Sequence, residues 1–198
     1  LDIMNDLANL LRTKEKGPGS KSLQEAADLL GKVVLQKPTV PEYQVNFGNV
    51  LRDNLQFEAA IDCYEKAMDI DPEFSGAAFP NISIIHSLMG DYDLAKEFVS
   101  KALEIDPNDS EALNNYAQVL ISDHQLDKGI ECFEKAIELD SNNFLIYTNM
   151  GRALMRRRRY EEALDAFQKS MEIDASATDA YYLFAATLRH MEKLEESE

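Results

Sequence analysis

The sequence predicts an all-α solenoid of antiparallel helix pairs, and three observations predict it. One phrase returns at a fixed interval: YEKAMDIDP at 64–72, VSKALEIDP at 99–107, FEKAIELDS at 133–141 and FQKSMEIDA at 167–175. Its closing aspartates Asp71, Asp106, Asp140 and Asp174 stand 35, 34 and 34 residues apart, and self-similarity at that period marks stacked repeats. Each period holds two stretches of helical apolar spacing, with small residues recurring where two helix backbones must approach closely.

The elements follow in order. Residues 1–40 read as a divergent repeat: Met4, Leu7, Ala8 and Leu11 fall at positions 4, 7, 8 and 11, while Leu23, Ala26, Leu30, Val33 and Pro38 fall at 17, 20, 24, 27 and 32 after a six-residue excess. The excess lies in TKEKGPGSKS (13–22), whose Gly-Pro-Gly breaks helices, so the inner turn is enlarged. Full repeats run 41–74, 75–109 with Ser75 as one extra residue, 110–143 and 144–177, and an incomplete repeat occupies 178–198.

Position 8 holds Gly48, Ser83, Ala117, Gly151 and Ala185; position 20 holds Ala60, Ala95, Gly129, Ala163 and Ser197; position 27 holds Ala67, Ala102, Ala136 and Ser170. Large apolar residues fill the space beside them, with Phe57, Tyr92, Leu126, Tyr160 and Leu194 at 17 and Tyr64, Val99, Phe133 and Phe167 at 24. Proline after the closing aspartate, Pro72 and Pro107, suits a loop that ends a hairpin because it cannot continue the helix; Ser141 and Ala175 replace it later. Pro80, at position 5 of its repeat, is expected to shift the helix start or open the surface there, since only first-turn donors are dispensable.

This pattern of small residues at 8, 20 and 27, aromatics at 17 and 24 and Asp-Pro at 31 and 32 resembles the tetratricopeptide repeat, most clearly in NFGNVLRDNLQFEAAIDCYEKAMDIDP at 46–72. The resemblance covers the whole chain as a single array and implies a right-handed superhelical solenoid whose first helices line a concave groove. It directs positions 2, 5, 6, 9, 12 and 13 of those helices at the groove. Position 6 reads Asp6, Asn46, Asn81, Asn115, Asn149 and Leu183. An asparagine amide offers donors and acceptors, so four successive copies form a row that can hold the backbone of an extended peptide. The row is similar to that in the repeat arm of O-linked N-acetylglucosamine transferases, and asparagine is also a common consensus residue of the family at this place.

The candidate peptide-binding set is therefore Asn46, Asn49, Asn81, Asn114, Asn115, Gln118, Asn149 and Arg152. The lysine and arginine clamp of chaperone-binding members is not reproduced: Asn49 and Asn81 match, but Val45, Glu111 and Asn115 stand where it needs basic residues. MRRRRY at 155–160 supplies a candidate anion-binding edge in Arg156, Arg157, Arg158 and Arg159, against the simpler reading of a solvated turn whose cations complement a helix terminus.

Composition excludes several classes. The balance of 36 acidic against 20 basic residues, a net −16, argues against nucleic-acid partners and acidic membrane surfaces. There is no apolar run long enough for direct membrane insertion. Cys63 and Cys132 suggest free thiols in a reducing, cytoplasmic setting. No phosphate loop, HExxH or GxSxG motif occurs and His86, His124 and His190 are scattered, so we expect no enzyme, no metal and no cofactor within this chain.

The expected function is a protein-interaction scaffold that binds an extended peptide of a protein partner. Two alternatives stand beside it: a substrate-recognition arm of a larger enzyme such as a glycosyltransferase, and a self-assembling scaffold. The chain opens on Leu1 and stops at LEESE, early in what would be the sixth unit's second helix, as an excised segment would. The uncapped face around Tyr181, Phe184 and Leu188 is a candidate surface for homo-oligomers.

Overall fold

The computed structural model of the chain describes residues 1–14 and 17–195, with side chains through residue 192. The expectations for Leu194, Ser197 and the last residues of the chain lie outside the described side chains. The described residues form eleven α-helices: α1 (Asp2–Lys14), α2 (Lys21–Gln36), α3 (Pro41–Asp53), α4 (Phe57–Ile70), α5 (Ser75–Met89), α6 (Tyr92–Ile105), α7 (Ser110–Ser122), α8 (Leu126–Leu139), α9 (Phe144–Arg156), α10 (Tyr160–Ile173) and α11 (Thr178–Glu195). Two compact units result, Leu1–Ile105 and Asp106–Glu198.

Identical turn chemistry closes the successive hairpins. Within each full repeat the backbone N–H at position 16 donates to the carbonyl at position 11: Gln56 to Leu51 at 2.8 Å, Asp91 to His86 at 2.9 Å, Gln125 to Leu120 at 2.8 Å and Arg159 to Leu154 at 2.9 Å. This six-to-one bond satisfies a carbonyl left open by the end of the first helix, and it requires a left-handed residue at position 15. That residue is Gly90 (φ 87°) in one turn, but Leu55, His124 and Arg158 adopt φ of 60°, 61° and 62° in the others.

The four recurring aspartates that betrayed the period share one bond. Asp71, Asp106, Asp140 and Asp174 accept, through Oδ1, the backbone N–H two residues on, at 3.0, 2.9, 3.1 and 2.8 Å. Each side chain thereby mimics a backbone turn and redirects the chain into the next repeat.

In the Leu1–Ile105 unit, one core gathers Ala8, Leu23, Ala26, Leu30 and Val50, and a second gathers Leu51, Ala60, Cys63, Tyr64, Ile82 and Ile85. The enlarged inner turn between α1 and α2 is tied back by the Gly19 N–H, which donates to Asn54 Oδ1 at 2.9 Å. Pro80 does not begin its helix. It is the sixth residue of α5, which absorbs Ser75 and runs on to Met89. The missing Pro80 N–H leaves the Gly76 carbonyl without its intrahelical donor, a defect confined to the first turn and a half.

The Asp106–Glu198 unit has one continuous core through Ile130, Phe133, Ile146, Leu154, Phe167 and Ala180. Small and large residues pair as spacing predicts. A Cβ added to Gly151 would lie 2.5 Å from Phe167 Cε1, and in the other unit one on Gly48 would lie 2.7 Å from the Tyr64 ring. Where position 8 is Ala117, the relief comes from Gly129 opposite: a Cβ there would be 3.0 Å from the Ala117 carbonyl oxygen.

In α11 the two faces differ. Ala180 and Thr187, at positions 3 and 10, are fully buried, and Phe184 packs against the core. Phe184 is partly buried. Tyr181 and Leu188 are half exposed, and Ala185 at position 8 is exposed too.

Candidate functional site

In each unit the first helices neighbour one another, α1 with α3 and α3 with α5, then α7 with α9 and α9 with α11. The candidate asparagines, Gln118 and Arg152 sit on these helices, Arg156 ends α9, and Arg157, Arg158 and Arg159 lie in the turn before α10.

The asparagines at position 6 do not form a uniform row. Asn46 Nδ2 donates to Asn5 Oδ1 at 2.8 Å, and Asn5 is buried. Asn81 accepts from Arg52 Nη1 and donates to the Ala77 carbonyl at 2.8 Å. Asn149 Nδ2 donates to Asn114 Oδ1 at 3.0 Å. Two of these bonds repeat one rule, since Asn5 and Asn114 stand at position 5 of one repeat while Asn46 and Asn149 stand at position 6 of the next. Asn115 has no partner among the described residues and is partly exposed. Asn49 accepts the Tyr64 hydroxyl at 2.9 Å and so satisfies a buried polar group.

A cavity of about 190 Å³ opens in the Asp106–Glu198 unit between α7 and α9. Gln118 and Ser122 line it from α7, and Asn149, Arg152 and Arg156 from α9. Its apolar floor is Ile121, Phe133 and Ala153. Residues 149, 152 and 156 follow the i, i+3, i+7 spacing that places side chains on one helix face, a signal legible in sequence. Ser122, Ile121 and Ala153 were not singled out from sequence, and Phe133 was read only as a core residue; Ile121 and Ser122 follow Gln118 at i+3 and i+4 on α7.

The four consecutive arginines separate by function. Arg157, past the end of α9, places Nε 2.8 Å and Nη2 3.3 Å from the two Asp127 carboxylate oxygens. Arg159 clasps Glu162 at 2.7 and 2.6 Å, and this hydrogen-bonded guanidinium holds the Glu162 carboxyl below its ordinary range. Arg158 is the left-handed residue of the turn. Arg156 points into the cavity and has no acidic partner among the described residues. Arg152 Nη2 is 2.9 Å from Asp179 Oδ2, a counter-ion on α11 that sequence spacing did not single out.

Other sequence candidates take packing roles. His86 stacks on Phe98 with ring centroids 5.4 Å apart, and His190 Nε2 lies 2.9 Å from the Tyr160 hydroxyl. Cys63 and Cys132 are free thiols, and burial pushes the Cys63 thiol up to about 11. Among the described residues no helix is long and apolar enough to cross a membrane.

Comparison with known proteins places this geometry. Models of the tetratricopeptide repeat match residues 41–74, 81–109, 98–131 and 132–165. The human mitochondrial import receptor subunit TOM70 is 25% identical over 124 residues, 63% of this chain but only 20% of that protein's length. Among solved structures, a thermophilic repeat protein of Thermus thermophilus superposes with a TM-score of 0.83 at 15% identity, covering 94% of this chain and 98% of that one. YrrB, described as a repeat protein with an unusual peptide-binding site, gives 0.56 at 22% identity over 90% of this chain and 89% of its own. With family models spanning more than half of its length, the chain belongs to the tetratricopeptide repeat family, whose stacked helical hairpins serve as scaffolds for protein–protein interaction.

Proposed function

We propose that this chain binds an extended segment of a protein partner along the first helices of its Asp106–Glu198 unit. The observation that carries this reading is the Asn115 amide, without a partner among the described residues and one turn before the exposed Gln118 that lines the cavity. Backbone amides of an extended peptide present the same donors and acceptors in alternation, so an asparagine side chain can engage them without reading sequence. Asn149 supports the same role, because its bond to Asn114 uses one of its two N–H donors and leaves its carbonyl oxygen free to accept. The YrrB structure, by its description, shows that this fold can hold a peptide. The free thiols suit a cytoplasmic setting.

The test is a pulldown from lysate with the wild-type chain beside the quadruple variant Asn46→Ala, Asn81→Ala, Asn115→Ala, Asn149→Ala, after circular dichroism has shown that both fold alike. Partners captured by the wild type and lost from the variant are expected. Identical partners on both would assign the asparagines to structure alone and end this reading.

A further inference from the structure

We propose that the cavity between α7 and α9 is a carboxylate-binding subsite, in which Arg156 and Arg152 grip the anion while Ile121, Phe133 and Ala153 take the aliphatic part that carries it. The inference rests on the peptide-binding reading above and names the chemistry that such a peptide must present.

Four observations converge on it. First, the cavity is amphipathic: two guanidinium groups and the Gln118 amide surround an apolar floor, an arrangement that matches a short hydrocarbon stem ending in a carboxylate. Second, Arg156 is the arginine of its run that enters the cavity, while Arg157 and Arg159 are spent on Asp127 and Glu162. Third, the chain carries 36 acidic residues, yet none of them lines this cavity. Fourth, Arg152 is already held at 2.9 Å by Asp179, which is not among the lining residues, both side chains being at least half exposed, so an internal carboxylate engages one of the two guanidinium groups a ligand would claim.

The last point gives the subsite a built-in competitor. An exposed pair of this kind is weakly held, so an incoming carboxylate can displace Asp179 at little cost. The arginines stand at positions 9 and 13 of one helix, not at the places where chaperone-binding members of the family carry their basic clamp. Either an acidic side chain within a peptide or a peptide's terminal carboxylate supplies the required chemistry.

The experiment is an NMR titration of the isotope-labelled 198-residue chain with three pentapeptides. Ac-Ala-Ala-Glu-Leu-Ala-NH2 carries an internal carboxylate, Ac-Ala-Ala-Gln-Leu-Ala-OH a terminal one, and Ac-Ala-Ala-Gln-Leu-Ala-NH2 none. We expect the Arg152 and Arg156 Nε–H resonances to move with at least one carboxylate peptide, which binds about fivefold to tenfold tighter than the neutral one. Whichever carboxylate peptide binds identifies the source. Arg156→Gln should abolish the difference, and Asp179→Asn should tighten binding about threefold by removing the competitor. Equal binding of all three peptides, no arginine shift up to about 10 mM peptide, or no response to Asp179→Asn would overturn the subsite. If the neutral peptide alone moves the Asn115 and Asn149 side-chain amides, peptide binding by the first helices stands while the carboxylate subsite falls.

Discussion

In the Leu1–Ile105 unit, Asn81 gives its oxygen to Arg52 and an N–H to the Ala77 carbonyl, while Arg52 also pairs with Asp53 at 2.9 Å. In the Asp106–Glu198 unit, Asn115 holds the same repeat position with no partner among the described residues, and Arg152 and Arg156 line a cavity. The repeat positions are equivalent, and Asn46 and Asn149 make the same bond in their two units, but Asn81 uses its hydrogen-bonding capacity to fix its own unit while Asn115 leaves its amide unspent. A shared consensus therefore does not make a shared site; what decides is whether a neighbouring side chain has already taken the amide.

The comparison holds only if the hairpin cores of the two units are equivalent, and the largest expected effect tests that. Gly48→Ala and Gly151→Ala each push a Cβ into an aromatic ring, at 2.7 and 2.5 Å. Alanine's better helix propensity would stabilise each helix by about 1 kcal/mol, but overpacking a close-packed core costs about 1–3 kcal/mol, so both variants should unfold at lower denaturant concentration. A higher midpoint for either would show that its ring can move aside and that the two cores differ.

The turns sharpen the contrast with a smaller effect. Position 15 is left-handed in every full repeat, yet glycine fills it only at Gly90. His124→Gly and Arg158→Gly should stabilise the second unit by about 0.5–1 kcal/mol each, while Gly90→Ala should destabilise the first by about 1 kcal/mol. Thermal unfolding of the three variants reads both signs.

Much of this molecule was legible in its sequence because the period carries chemistry at fixed places. The 34-residue spacing, the Gly48 with Tyr64 and Gly151 with Phe167 pairs, and the closing aspartates all recur in the structure, the last as four matching side-chain turns. The candidate site was less legible. Position alone assigns Asn46, Asn81, Asn115 and Asn149 one role, and their different partners come from single residues outside the consensus: Asn5, Arg52 and Asn114. The arginine run misleads in the same way, since neighbours in sequence point to different sides once α9 ends at Arg156. The left-handed conformation of Leu55, His124 and Arg158 had no residue-type signal, because the six-to-one bond of the turn imposes it on whatever stands there.

The most direct measurement divides the asparagines by unit. Pulldowns are made in parallel with Asn46→Ala, Asn81→Ala and with Asn115→Ala, Asn149→Ala, and the captured partners are quantified against the wild type. The second pair should lose the partners while the first retains them. Loss confined to the first pair, or equal loss from both, would contradict the claim that the Asn115 amide and the Asn149 carbonyl oxygen hold the ligand.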